Sequence, residues 1–154
     1  MQAAITPDDE RFMREALELA DQAEALGEVP AGAVVVVQNQ VAGRGGNAPI
    51  STRDPTAHAE VVALRDAGKQ LGIYRLAGAT LYATMEPCAM CAGALVNARV
   101  NKLVFGTRDL RFGAVRSKFR LADSDLLNHQ VEVVEGVLAD ECLQRIQRFF
   151  AVRR

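Results

Sequence analysis

His58-Ala59-Glu60 and the downstream segment Pro87-Cys88-Ala89-Met90-Cys91 constrain the fold of this chain more than any other feature, because their side chains suit one shared site. One imidazole and two thiols supply three donors for a zinc ion. A structural zinc takes four protein donors, whereas a three-donor site keeps its fourth position for water. Glu60 adds a carboxylate of the kind that takes a proton from such a water and passes it on. Cys88 and Cys91 are three apart at a predicted helix start, so they share a face, as a single ion requires. His58 follows Asp54-Pro55-Thr56 and is expected in the first turn of its own helix. Residues two apart on a regular helix point in different directions. That divides the labour, with His58 on the metal and Glu60 reaching the water from the side.

The remaining pattern says how such a site is carried. Thr6-Pro7-Asp8-Asp9-Glu10 reads as a helix start, with a hydroxyl cap, proline in the first turn and acids at the positive end of the dipole. Phe12, Ala16, Leu19 and Ala23 recur at helical spacing, and Gly27 stops the run. Ala33–Val37 reads as a buried strand, turned by Gln38-Asn39-Gln40 into a second strand through Gly43. Residues 45–55 are rich in Gly, Pro, Asn and Ser and read as a loop. A helix from Thr56 to about Gln70 follows, then a strand over Ala79–Thr84, a helix over Cys88–Ala98 and a strand over Leu103–Gly106. That strand–helix–strand unit predicts a parallel, right-handed crossover. Residues 107–129 are less regular, Val131–Glu135 reads as a last strand, and Asp140–Phe150 as a closing helix. The order predicts an α/β fold, a three-layer α-β-α sandwich with a mixed five-stranded central sheet. Two helix starts would then meet the metal beyond the carboxyl ends of the strands, where open α/β sheets bind ligands.

With 154 residues the expectation is one domain spanning 1–154. No apolar stretch approaches a membrane span and no secretory leader is visible, so a cytoplasmic protein is expected. Three cysteines, two of them at ligand spacing, argue against a disulfide scaffold. A net charge of −1 excludes a globally basic nucleic-acid binder. Arg108, Arg111, Arg116, Lys118 and Arg120 nevertheless crowd one stretch, and the chain ends Arg153-Arg154. A solvated loop and tail account for that as readily as an RNA surface does.

Two rival readings of the site need answers. Cys142, expected as a small core residue of the closing helix, or His129, expected in a polar turn, could supply a fourth ligand and make the protein a structural zinc-binding module. Cys88 and Cys91 alone also fit a thiol–disulfide exchanger. Neither rival gives Glu60 a task.

The two segments match the H-x-E…P-C-x-x-C signature of zinc nucleobase deaminases. Over nearly its whole length the chain resembles the bacterial tRNA-specific adenosine deaminase family of the cytidine-deaminase-like superfamily. The segments that carry the resemblance include Val29-Pro30-Ala31-Gly32-Ala33, Asn47-Ala48-Pro49-Ile50, residues 54–60, residues 86–94, Val104-Phe105-Gly106-Thr107-Arg108-Asp109, Asn128-His129 and Phe149-Phe150.

The resemblance implies a cytidine-deaminase-like fold and hydrolytic deamination of adenosine to inosine at the wobble position of a tRNA anticodon. By that reading His58, Cys88 and Cys91 hold one Zn2+ per subunit, and Glu60 shuttles the proton during attack on C6 of adenine. Asn47 and the backbone of Ala59 would contact the base, and Asp109, Phe150 and Arg153 the RNA of the anticodon loop. An aromatic that stacks a splayed base and cations that follow phosphates suit a single-stranded loop. The resemblance also implies a homodimer. The alternative within enzymes is a deaminase of a free base or nucleoside, such as guanine, cytosine or cytidine. After Gly113-Ala114 the chain departs from the family pattern, running Val115-Arg116-Ser117-Lys118-Phe119-Arg120-Leu121-Ala122-Asp123-Ser124-Asp125-Leu126-Leu127. The departure bears on RNA and dimer contacts and leaves the zinc donors untouched.

Overall fold

A computed structural model describes residues 2–153; Met1 and Arg154, the last residue of the basic tail, lie outside the described residues. The first helix, α1 (Pro7–Ala25), opens as its sequence predicts. The Thr6 hydroxyl accepts from the Asp9 amide at 3.1 Å, and the Asp9 carboxylate accepts from the Thr6 amide at 2.9 Å. This reciprocal capping satisfies two of the donors that a helix start leaves unpaired. Asp9 is buried and also accepts the Tyr82 hydroxyl at 2.9 Å, which ties the start of α1 to the central sheet.

The other elements follow in the order β1 (Gly32–Val37), β2 (Gln40–Gly46), α2 (Pro49–Thr52), α3 (Ala59–Leu71), β3 (Thr80–Met85), α4 (Ala89–Ala98), β4 (Lys102–Thr107), β5 (Glu132–Glu135) and α5 (Ala139–Val152). Across the sheet the strand order is β2-β1-β3-β4-β5. β1 runs antiparallel to β2 and β3, while β3, β4 and β5 run parallel. The sheet is therefore mixed and five-stranded, and β3–α4–β4 is the expected parallel crossover. Alternation along each strand splits the core in two. Ala33, Val35, Leu81, Ala83, Leu103 and Phe105 face the side covered by α3 and α4. Val34, Val36, Tyr82, Val104 and Val134 face α1 and Cys142 of α5.

Three differences from the sequence reading bear on the site, while the remaining element ends shift by only one or two residues. β2 continues to Gly46 rather than ending at Gly43, and residues 45–55 contain the short helix α2. α3 begins at Ala59, not Thr56, because the Asp54 carboxylate accepts from both the amide and the hydroxyl of Thr56 and turns the chain there. α4 begins at Ala89, which leaves Cys88 just outside it. Cys88 is held there by a bridge to Gly113.

Candidate metal centre

His58 and Cys88 each occupy the cap position ahead of a helix, with extended backbone (φ −71°, ψ 153° and φ −74°, ψ −179°). That corrects the expectation of first-turn positions for both, and Pro87 precedes the cap instead of filling the first helical position. It also resolves the spacing problem. His58 is not on the helix with Glu60, so the two side chains are not bound by the helical repeat. Neither cap side chain bonds its own helix amides. Both turn instead toward Cys91, which sits one turn into α4 and is fully buried.

His58 Nδ1 lies 3.5 Å from Cys88 Sγ and 3.5 Å from Cys91 Sγ. These lengths test whether a zinc fits. With Zn–S of about 2.3 Å and Zn–N of about 2.0–2.1 Å, the N···S edge of a regular tetrahedron is about 3.5–3.6 Å. The donor set therefore matches zinc without rearrangement. The three donor atoms all lie within 4.8 Å of one another, and they form the only such metal-capable group among the described residues.

Charge at the site is poised in the same sense. The hydrogen bond from Cys91 holds the Cys88 thiol well below its ordinary range, down to about 5, and the His58 charge assists. Cys91, the partner that keeps the shared proton, is driven far upward by that bond and by burial. The two thiols thus compete for one proton beside His58, and a divalent cation binds such a pair with proton release. Glu60, in the first turn of α3, is buried, and burial raises its carboxyl above the usual range even though the nearby Cys91 thiol and its own amide favour the charge. Positive dipole ends of α3 and α4 point into the same space.

The helix that carries Glu60 is seated by close packing. A Cβ at Gly45 in β2 would overlap the Ala59 carbonyl oxygen and the Ala63 amide nitrogen, so the backbones of β2 and α3 touch. Gly45→Ala is therefore expected to push the first turn of α3, with Glu60, off its seat. Overpacking of this kind costs about 1–3 kcal/mol. Urea denaturation should show that loss; unchanged stability would refute the seating role.

Other residues singled out from the sequence lie as follows. The amide of Ala48 donates to Ala57 O at 2.9 Å, which brings half-buried Asn47 alongside the strand of chain leading to His58. Ala59 is fully buried at the first position of α3. Asp109 spends its carboxylate within its own turn, accepting from the amides of Arg111 and Phe112 at 3.0 and 3.1 Å. Phe150 is exposed on α5, while Arg153 lies over the ring of buried Phe149, 3.5 Å from its centroid. α5 packs on α1, β3 and β4, on the opposite face of the sheet from α3 and α4. Of the clustered cations, Arg108 pairs with Glu135 and both Arg116 and Arg120 pair with Asp123, which leaves Arg111 and Lys118 without an ion pair among the described residues. Cys142 packs against Gly106, and His129 Nε2 bonds Val100 O at 2.7 Å, so neither joins the metal group.

Two buried acids carry a structural task that sequence reasoning missed. Burial opposes the charge on Glu28, but the Ser51 hydroxyl and amide and the Ile50 amide hold its carboxyl low and fix α2 beside Asn47. Glu86 gathers donors from residues 109–117. The only signal available in sequence was an acid embedded in an apolar run.

Residues 6–107 match the cytidine and deoxycytidylate deaminase zinc-binding region. A tRNA-specific adenosine deaminase of Haemophilus influenzae is 52% identical over 95% of this chain and 85% of that protein. One from Bacillus subtilis is 46% identical over 92% of this chain and 88% of that protein. A structure solved in a study of A-to-I editing by tRNA:A34 deaminases at the wobble position of transfer RNA superposes with a TM-score of 0.85. It is 41% identical and covers 88% of this chain and 98% of its own. Guanine deaminase from Bacillus subtilis superposes less completely, with a TM-score of 0.63 and 40% identity over 64% of each chain.

Proposed function

The chain belongs to the cytidine and deoxycytidylate deaminase zinc-binding family, and from that premise we propose that it deaminates adenosine to inosine at the wobble position of a tRNA anticodon. The observation that carries the reading is the three-donor group with zinc-sized edges beside a buried carboxylate. The near full-length likeness to tRNA adenosine deaminases supports RNA over a free base as substrate.

His58, Cys88 and Cys91 would hold the zinc. When bound, it lowers the pKa of water from about 16 to roughly 7 and so makes a nucleophile available at neutral pH. Glu60 takes the proton of the attacking water and delivers it to the ring nitrogen as the new C6–O bond forms. It then takes the remaining proton of the added hydroxyl as the C6=O bond forms and hands it to the amino group, which leaves as ammonia when the C6–N bond breaks. Burial raises this carboxyl above the usual range and so favours the protonated form through which each transfer passes. Asn47 orients the base through its amide, and the Ala59 backbone at the positive start of α3 faces the reacting centre. Asp109 shapes the turn that meets the RNA, and Phe150 and Arg153 extend the contact from α5. The working form is a cytoplasmic homodimer, a pairing that agrees with the exposure of Phe119 and Leu126.

Incubation of the zinc-loaded protein with a panel of tRNA transcripts, followed by detection of inosine, tests the assignment. Inosine at the first anticodon position of one or more transcripts is expected. Turnover of free guanine, cytosine or nucleosides with none on anticodon stem-loops would overturn it.

A further inference from the structure

Glu86 lies between β3 and the metal-binding Pro87-Cys88 segment, and its side chain is 3% exposed. Five donors converge on its carboxylate. One oxygen accepts from the Asp109 amide at 3.1 Å and from the Ser117 hydroxyl. The other accepts from the amides of Val115, Arg116 and Ser117 at 3.0, 2.7 and 2.9 Å. A Cβ on Gly113 would strike this carboxylate, so the loop is wound closely around it. Gly113 itself bridges to Cys88, and the Ala114 amide donates to Pro87 O at 2.9 Å. Residues 109–117 are thus fastened to the very segment that presents Cys88.

The outer side of the same loop is chemically distinct. Leu110 and Phe112 are 72% and 64% exposed, and the Arg111 guanidinium lies 5.3 Å from the Phe112 ring centroid. A cation without an ion pair beside an exposed aromatic can follow a phosphate and stack a base. Four of the five donors to Glu86 are main-chain N–H groups, so the anchoring is indifferent to which side chains stand at 115 and 116.

We infer that Glu86 is a positioning residue: it holds the 109–117 loop on the Pro87-Cys88 segment so that Arg111 and Phe112 meet the RNA next to the metal centre. The inference rests on the functional reading above for its substrate, but not for the anchoring itself. Glutamine at 86 keeps the shape, yet turns an amide NH2 toward the Asp109 N–H and leaves that donor unpaired.

The test compares wild type with Glu86→Gln as full-length, zinc-loaded protein acting on an anticodon stem-loop RNA. Zinc content and kcat are expected to hold within about twofold, while KM rises about tenfold. Amide hydrogen exchange at 109–117 is expected to quicken by a similar factor. Ser117→Ala, which removes the hydroxyl donor alone, should shift KM in the same direction by about threefold and decides the matter if Glu86→Gln does not fold. An unchanged KM with unchanged exchange would overturn the inference. So would loss of zinc, or a fall in kcat with KM unmoved. Wild-type protein inert on the RNA would sink the functional reading, and the exchange comparison would still decide the anchoring.

Discussion

Glu60→Gln is expected to yield a folded, zinc-loaded protein whose kcat on tRNA is lower by about 10²–10⁴-fold, the range typical for loss of a positioned general acid–base. In barrier terms this is about 3–5 kcal/mol. The size follows from the site. Glu60 is buried at the start of α3, and the metal-capable group of His58, Cys88 and Cys91 holds no carboxylate that could take over its proton. Glutamine matches its volume, so the change removes proton transfer without emptying the cavity. Single-turnover measurement of inosine with metal analysis of the same sample separates the effects. A kcat within about threefold of wild type would rule out the proton-shuttle role.

Cys88→Ala is expected to abolish zinc retention and, with it, activity. Removal of partners outside the ligand sphere already costs about 10–100-fold in metal affinity, and loss of one of only three protein donors costs more. The change also removes a thiol that the hydrogen bond from Cys91 holds below its ordinary range. A ligand at 100 times its Kd stabilises the native state by about 2.7 kcal/mol. For a chain of this size that is roughly 5–10 °C in Tm. Wild type should therefore show that difference between zinc-loaded and chelated samples, and Cys88→Ala should show none. A persistent zinc-dependent Tm shift in the variant would mean that a different donor set holds the metal.

Much of the frame was legible because it rests on local rules. Thr6 and Asp9 sit at capping-box spacing, and they form that box. The run Ala33–Val37 reads as a strand buried on both faces, and its odd and even residues do fill the two halves of the core. The boundaries that failed depend on side-chain bonds and backbone packing that periodicity does not register. Glycine reads as a breaker beyond Gly43, yet Gly45 belongs to β2 because only hydrogen leaves room there for the α3 backbone. The helix α2 was invisible because Glu28, more than twenty residues upstream, supplies acceptors for its first amides. At the site, the identity of the donors could be read from spacing, whereas their cap positions could not. Those depend on the turn that Asp54 imposes at Thr56 and on the bridge between Cys88 and Gly113. The clustered cations misled for a similar reason. Composition counts charges, but only folding brings Asp123 and Glu135 against three of the five.

A residue in the cap position ordinarily closes its own helix by bonding the first free amides. His58 and Cys88 give up that service and lend their side chains to a shared ion. Two helices thereby acquire a common rivet in place of separate stoppers. Stripping the ion should loosen both ends together, including the turn that bears Glu60, while the sheet beneath stays intact. Chelation would then inactivate by unfastening geometry as well as by removing a Lewis acid. Recovery after zinc is returned should track the re-tightening of both helix ends.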